Sequence, residues 1–389
     1  MNQRLNQINQ IGLFTDSFPP MIDGVATVVK NYASEMQQLG ISVFVFAPSC
    51  QMTDDESSNV LRYPSVSLAM REPYRIGLSL CKNNIYKQIK DNNLEIIHAH
   101  SPFFAGKIAL NFAKKHKIPL IATFHSKFKD NFKQIIPSDF IVNQMIKRII
   151  SFYEQADEVW IPQAAVEETM REYGYKGKVE VVENGCDFAP PPDVNFYKKT
   201  AREKLGILPH ETVYLFVGQH IYEKNIELIL HSLEKIRHTD FRMFFVGTGY
   251  AEKYFRKLAI KLNINDKVKF VGLIAERTLL AQYYAAADLF LFPSLYDTSA
   301  IVMREAAAFA TPSVIIRNST VASFITDNEN GFLVENSVNS FAEKLIFLKE
   351  EKEKLEQAGR AAQKNLTRSW KDITAEVTER YANLIKRNS

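Results

Sequence analysis

The chain has 389 residues, 46% of them hydrophobic and 24% charged, with a formal net charge of +4. That is long enough for two cores and ordinary for a globular protein; the charge is too small to indicate nucleic acid, though compatible with an anionic membrane surface. Three cysteines (Cys50, Cys81, Cys186) form no CxxC pair and no even framework, pointing to a reducing cytoplasm. No apolar run approaches the roughly 20 residues of a membrane span, and MNQRLNQINQ at the start lacks the apolar core of a signal peptide. In chain order, a strand is predicted over 8–15, a loop over 19–24 and a helix over 25–39 that stops at Gly40, a natural residue after a helix end. Strands follow at 41–47, 94–98, 120–124, 158–161 and 179–182, with a helix over 104–116. The run Ala189-Pro190-Pro191-Pro192-Asp193 reads as a linker. A second series of strands is predicted at 212–217, 242–246, 268–271, 289–292 and 313–316, then a last helix over about 370–386 with Ile373, Val377, Tyr381 and Ile385 on its apolar face. Strands alternating with helices make βαβ units. The prediction is an α/β protein of two doubly wound, Rossmann-like lobes with a cleft between them, with ligands held beyond the carboxyl ends of the strands.

In such a fold the chemistry lies at the strand ends. After the first strand, Pro19–Gly24 carries a glycine just before a helix, suited either to close approach of a diphosphate or to a plain turn. His98, His100 and His125 close two apolar strands without the Cys or carboxylate partners a metal site usually adds, and a lone histidine is more often structural. Gly218 opens a loop that reaches Lys224, a point charge suited to a leaving phosphate or else a solvated lysine at a helix start. Gly247 and Gly249 do not make a dinucleotide fingerprint, because its third glycine would fall at Glu252. The strand ending at Phe292 runs through a polar loop into an Ala-rich helix, with carboxylates Asp297 and Glu305 eight residues apart across the junction. Such a junction aims N–H groups at an anion and offers carboxylates to hydroxyls, as a sugar nucleotide requires.

The stretch Ser294–Pro312 resembles the E-x7-E region of retaining glycosyltransferases of family 4, which have the GT-B fold. Pro293, Ser294, Glu305, Ala306, Ala308, Pro312 and Val314 match the usual form; Asp297 replaces its first Glu, and Ala300 and Ala310 replace glycines. Val217–Asn225 resembles the family's phosphate-binding segment, with Lys224 in the lysine position and Gln219 where arginine is usual; His220 is a candidate to compensate. The resemblance implies residues 1–188, completed by 371–389, as an acceptor lobe and 189–370 as a nucleotide-sugar lobe. It implies catalytic roles for His125, Lys224 and Asp297. Donor binding would fall to Gly24, Gly218, Gln219, Lys224, Gly247, Gly249, Leu273, Ile274, Thr298, Ser299, Ala300, Ile301 and Glu305, with Glu305 on the ribose hydroxyls and Leu273–Ile274 at the base. No metal or other cofactor is expected, because Lys224 and helix dipoles would neutralise the leaving diphosphate. The expected reaction moves a hexose from a UDP-sugar to an acceptor hydroxyl with retention, giving an α-glycoside.

The whole chain is similar to bacterial family 4 enzymes that glycosylate membrane lipids such as diacylglycerol or ceramide. The basic, Phe-bearing run 127–136 suits an interfacial element on anionic lipid, with Lys127, Phe128, Lys129 and Lys133 facing it, Phe103, Phe104 and 71–75 nearby, and His100 on the acceptor side; the same run also fits an ordinary amphipathic element. The expected partners are a nucleotide sugar, a lipid acceptor and an anionic membrane surface, without nucleic acid, in the cytoplasm and peripheral on the inner face of the cell membrane. Transfer to a soluble or polyprenyl-linked sugar, an epimerase, and a nucleotide-sugar-binding protein with little turnover are the alternatives.

Overall fold

The computed structural model describes residues 8–49, 59–67, 75–78, 86–87, 89–133, 135–299 and 301–388. Cys50, Cys81, residues 71–74, Gln134 and Ala300 lie outside the described residues. The chain divides into two compact units, Met1–Gly185 with Trp370–Ser389, and Cys186–Ser369.

The first unit is built on a parallel sheet in the spatial order Val60–Tyr63, Ser42–Pro48, Gln10–Phe14, Ile96–Ala99, Leu120–Thr123, Glu158–Ile161, Glu180–Val181. Its central strands are buried on both faces, which is why they are continuous apolar runs rather than alternating ones. The strand order reverses between Gln10–Phe14 and Ile96–Ala99, so the residues following those two strands flank a switch point. Helix Gly24–Gln38 starts there, with Asp23 as its cap: the Asp23 carboxylate accepts the Ala26 N–H at 2.8 Å. Helix Phe104–His116 has no cap from Phe103; the Asp16 carboxylate, arriving from the neighbouring strand end, accepts the Ala105 N–H instead.

The last helix, Trp370–Asn388, belongs to the first unit. Tyr381 stacks on Trp160 at 5.7 Å between ring centroids, and Trp370 meets the edge of Tyr32. Ile373, Val377, Tyr381 and Leu384 are buried, whereas Ile385, expected on this face, is only half-buried. A strict step of four overshoots the 3.6-residue turn by about 40° each time, so after two such steps the seam returns at i+3.

The second unit carries a parallel sheet in the order Val268–Gly272, Phe241–Val246, Thr212–Val217, Leu289–Phe292, Ser313–Ile316, Phe332–Val334. Its switch point lies between Thr212–Val217 and Leu289–Phe292. Helix Ile301–Ala308 follows the second of these and is buried along most of its length. Two residues past its end, Ala310 holds φ +54, where a side chain is strained and glycine is usual. Asp288, just before Leu289, is structural: it accepts the Val213 N–H at 2.8 Å and pairs with Lys198 and Arg202.

Candidate active site

In the second unit, topology brings together groups that are far apart in sequence. The loop after Val217 is seated by glycines. Gly247 holds φ +126, and a Cβ there would lie 2.0 Å from the Gly218 carbonyl oxygen; a Cβ on Gly249 would lie 2.3 Å from that of His220. The two loops are laced by His220 N–H to the Thr248 carbonyl and Gly218 N–H to the Val246 carbonyl. A short 3-10 turn, Tyr222–Lys224, ends at Asn225 in the left-handed conformation and feeds helix Ile226–Lys235. This path delivers Lys224 across the switch point, where its Nζ lies 2.6 Å from Oδ2 of Asp297. Asp297 is itself held: its Oδ1 accepts the Ser299 N–H at 3.1 Å, and its own N–H donates to Thr320 Oγ1 at 3.2 Å. Both charged side chains are 18% exposed, screened enough for the pair to matter and open enough for a ligand to reach.

Glu305, one helix turn and more beyond that loop, is 4% exposed. Its Oε1 accepts from Arg277 at 2.6 Å and its Oε2 from the Tyr284 hydroxyl at 2.6 Å. Burial raises its pKa above the usual carboxylate range, and the Arg277 charge and the two hydrogen bonds pull it back. His220, the candidate replacement cation, is a correction: it is fully buried, its Nδ1 is bonded to Glu252 at 3.0 Å, and burial lowers its pKa, so it is a neutral packing residue. Gln219 is exposed, Leu273 is 55% exposed, Ile274, Thr298 and Ser299 are half-buried, and Ile301 is buried.

In the first unit, His98, His100 and His125 gather at neighbouring strand ends. His98 bridges the Tyr381 and Thr123 hydroxyls, each at 2.6 Å, and His100 Nδ1 lies 3.0 Å from His125 Nε2. His100 Nε2 is buried without a partner among the described residues. Sequence reasoning missed Asp16, which accepts from Tyr63 at 2.7 Å and is pushed up to about 6 by burial; its partners come from two other elements, which no spacing rule connects. Gly24 is the first residue of helix Gly24–Gln38. Among the described residues no group of three His, Cys, Asp or Glu side chains is placed to hold a metal.

The histidines make acid sensitivity predictable. Burial holds all three below the usual range, His125 at about 4, so they are neutral at pH 7. Unfolded, each titrates near 6.5, so below that pH unfolding takes up protons and stability falls as the solution is acidified, by about 1.4 kcal/mol per histidine at pH 5.5. Urea unfolding from pH 8 to 5 checks this: the wild-type midpoint drops steeply below 6.5, and His98→Gln flattens the curve by one histidine's share.

Phe128 is also a correction. Expected to face a membrane, it is 7% exposed and packs edge-on against Phe103 and Phe124, because helix Phe128–Lys133 lays its apolar side on the core. Exposed apolar residues of this region include Phe103, Ile135, Phe140 (73%) and Ile141 (50%). Lys133 is exposed and pairs with Asp139, while Lys127 and Lys129 are half-buried.

These features agree with comparisons of the whole chain. A family model described as Glycosyltransferase Family 4 matches residues 22–189, and one described as Glycosyl transferases group 1 matches residues 197–365. The chain belongs to the family 4 glycosyltransferases. Relatives of this glycosyltransferase include the alpha-monoglucosyldiacylglycerol synthase of Streptococcus pneumoniae, 29% identical over 83% of this chain and 75% of that one. The enzyme of the same name from Acholeplasma laidlawii is 24% identical over 98% of each chain. Among solved structures, sucrose-phosphate synthase from Thermosynechococcus elongatus superposes with a TM-score of 0.79 at 18% identity, covering 97% of this chain and 100% of that one. Anabaena HepE in complex with UDP gives 0.75 at 16%, with the same coverage. The glycosyltransferase therefore has the GT-B fold, with two parallel-sheet α/β lobes.

Proposed function

We propose that this glycosyltransferase moves a hexose from a UDP-sugar to a hydroxyl of a membrane lipid of the diacylglycerol type, with retention and without a metal. The observation that carries the reading is the pairing of Lys224 with Asp297 across the switch point, with Glu305 buried on the helix that follows. In the proposed reaction the bond from the sugar C1 to the leaving diphosphate breaks, and one from C1 to the acceptor oxygen forms on the same face. The acceptor proton passes to the leaving phosphate. Lys224 and the N-terminus of helix Ile301–Ala308 offset the charge that develops there. Asp297 faces the sugar and Glu305 accepts from the ribose. The donor assignment is supported by the shared fold with HepE, which holds UDP. The acceptor assignment is supported by two relatives named as monoglucosyldiacylglycerol synthases.

No helix among the described residues is long and apolar enough to cross a membrane. Access to a lipid would then come from the surface that exposes Phe140 and Ile141 beside Lys133, with anionic headgroups attracting the lysines. The test is UDP release from a panel of UDP-sugars, with and without diacylglycerol vesicles containing anionic lipid. Release stimulated by those vesicles and weakened by salt is the expected result. Release indifferent to lipid removes the lipid acceptor, and nucleotide binding without release removes the enzyme. Phe140→Ser with Ile141→Ser is expected to weaken vesicle binding; unchanged binding excludes that surface.

A further inference from the structure

We propose that Arg277 is a positioning residue for Glu305: it fixes which acceptor sites of the carboxylate stay open, and keeps it ionised so that those sites can take the two ribose hydroxyls of the donor. This rests on the reading of Glu305 as the ribose-binding group.

The geometry is specific. An ionised carboxylate offers about four lone-pair sites. In the structure one site on each oxygen is filled, Oε1 by Arg277 and Oε2 by Tyr284, which leaves one on each oxygen for a vicinal diol. Protonation would turn one of these into a donor and break the match. A carboxylate this deeply buried protonates readily unless a charge opposes it. The groups that face Glu305 are Arg277 and Tyr284 from helix Arg277–Ala286, and Cys186 and Asp187 from the segment that opens the second unit. Tyr284 is pushed well above its usual range and Cys186 to about 12, both by burial, so both stay neutral. Asp187 adds negative charge. Arg277 is thus a cation that opposes the protonation that burial favours at Glu305, and it lies between that carboxylate and the one on Asp187.

Arg277 is also anchored from behind. Its guanidinium lies 3.0 Å from Asp187 and 4.2 Å over the Phe188 ring, so a 43% exposed side chain that would otherwise sample many rotamers is aimed at Glu305. Both carboxylates are met by the same nitrogen, Nη2, so lysine keeps the charge and the donors but loses the planar group held over Phe188 that aims them.

The test compares UDP with 2′,3′-dideoxy-UDP by calorimetry on the intact protein between pH 5.5 and 8.5. Two hydroxyls donating to a carboxylate predict a wild-type preference for UDP of about tenfold or more. Arg277→Gln is expected to cut that preference to about threefold or less at pH 7 and to move its acid limb up by about one pH unit or more. Arg277→Lys is expected to keep the position of the limb and lose only part of the preference. If Arg277→Gln weakens both nucleotides equally and leaves the limb in place, Arg277 is a structural residue and the proposal is overturned. Glu305→Gln separates the two levels. If it keeps the full preference, or if the wild-type protein has none, the ribose reading falls and this proposal with it. If it loses the preference while Arg277→Gln keeps it, only the role of Arg277 falls.

Discussion

Lys224→Ala is expected to lower the rate of sugar transfer about 10²–10³-fold while the protein remains folded, because a preorganised cation at a developing charge has effects of that size. The structure separates the two consequences of this change. The first is chemical: Lys224 is the cation delivered across the switch point of the second sheet, and in the proposed reaction its charge would no longer help the helix N–H dipoles offset the leaving diphosphate. The second is structural: Asp297 loses its ion-pair partner. That loss is limited, because Asp297 still accepts from the Ser299 N–H and is 18% exposed, so solvent reaches it. The cost to stability is about 1–2 kcal/mol, well below that of a sealed orphan charge. Turnover and urea unfolding measured on the same sample distinguish the two. Asp297→Asn gives the complementary case, since it keeps a group that can accept from Ser299 and removes only the charge. Near-normal turnover of Lys224→Ala would remove Lys224 from the chemistry.

Much of the frame was legible because buried parallel strands leave a plain record. Thr212–Val217, Leu289–Phe292, Ser313–Ile316 and Glu158–Ile161 are continuous apolar runs bounded by polar residues, and their predicted limits coincide with the observed ones. Val60–Tyr63 and Phe332–Val334 were not predicted. One is an edge strand with mixed burial and the other is three residues long, so neither writes a long apolar run. The candidate site divides the same way. Lys224, Asp297 and Glu305 could be found because each sits at a fixed offset from a strand that the sequence announces. Arg277 could not: it is one charge on an amphipathic helix, and its meaning comes from partners 28 residues downstream at Glu305 and on the far side of the sheet sequence at Asp187. Asp16 escaped for a similar reason, since Tyr63 and Ala105 reach it from elements that only topology makes neighbours. Phe128 misled because alternating Lys and Phe looks alike in an interfacial helix and in a short helix whose apolar side is core.

The glycine turns yield the second large effect. Gly247→Ala is expected to destabilise the protein by about 3 kcal/mol or more, and to weaken nucleotide binding more than tenfold in whatever fraction stays folded. Two costs add at this position. The backbone holds φ +126, which an alanine adopts only under strain, and the new Cβ would lie 2.0 Å from the Gly218 carbonyl oxygen. That oxygen belongs to backbone, not to the end of a flexible side chain, so relief requires the whole loop from Gly218 toward Lys224 to move. The Gly218 N–H donates to the Val246 carbonyl and the Gly247 N–H to the Gly272 carbonyl, so the strain would spread to three strand ends at once. Gly272→Ala isolates the first cost. Its φ is +89, yet no atom lies within 4 Å of the added Cβ, and a loss of about 1 kcal/mol from backbone strain alone is expected. Urea unfolding of the two variants side by side measures the difference, and UDP binding shows where it lands. A Gly247→Ala protein as stable as Gly272→Ala would mean that the Gly218 loop yields freely. The precise delivery of Lys224 to Asp297 would then need another cause.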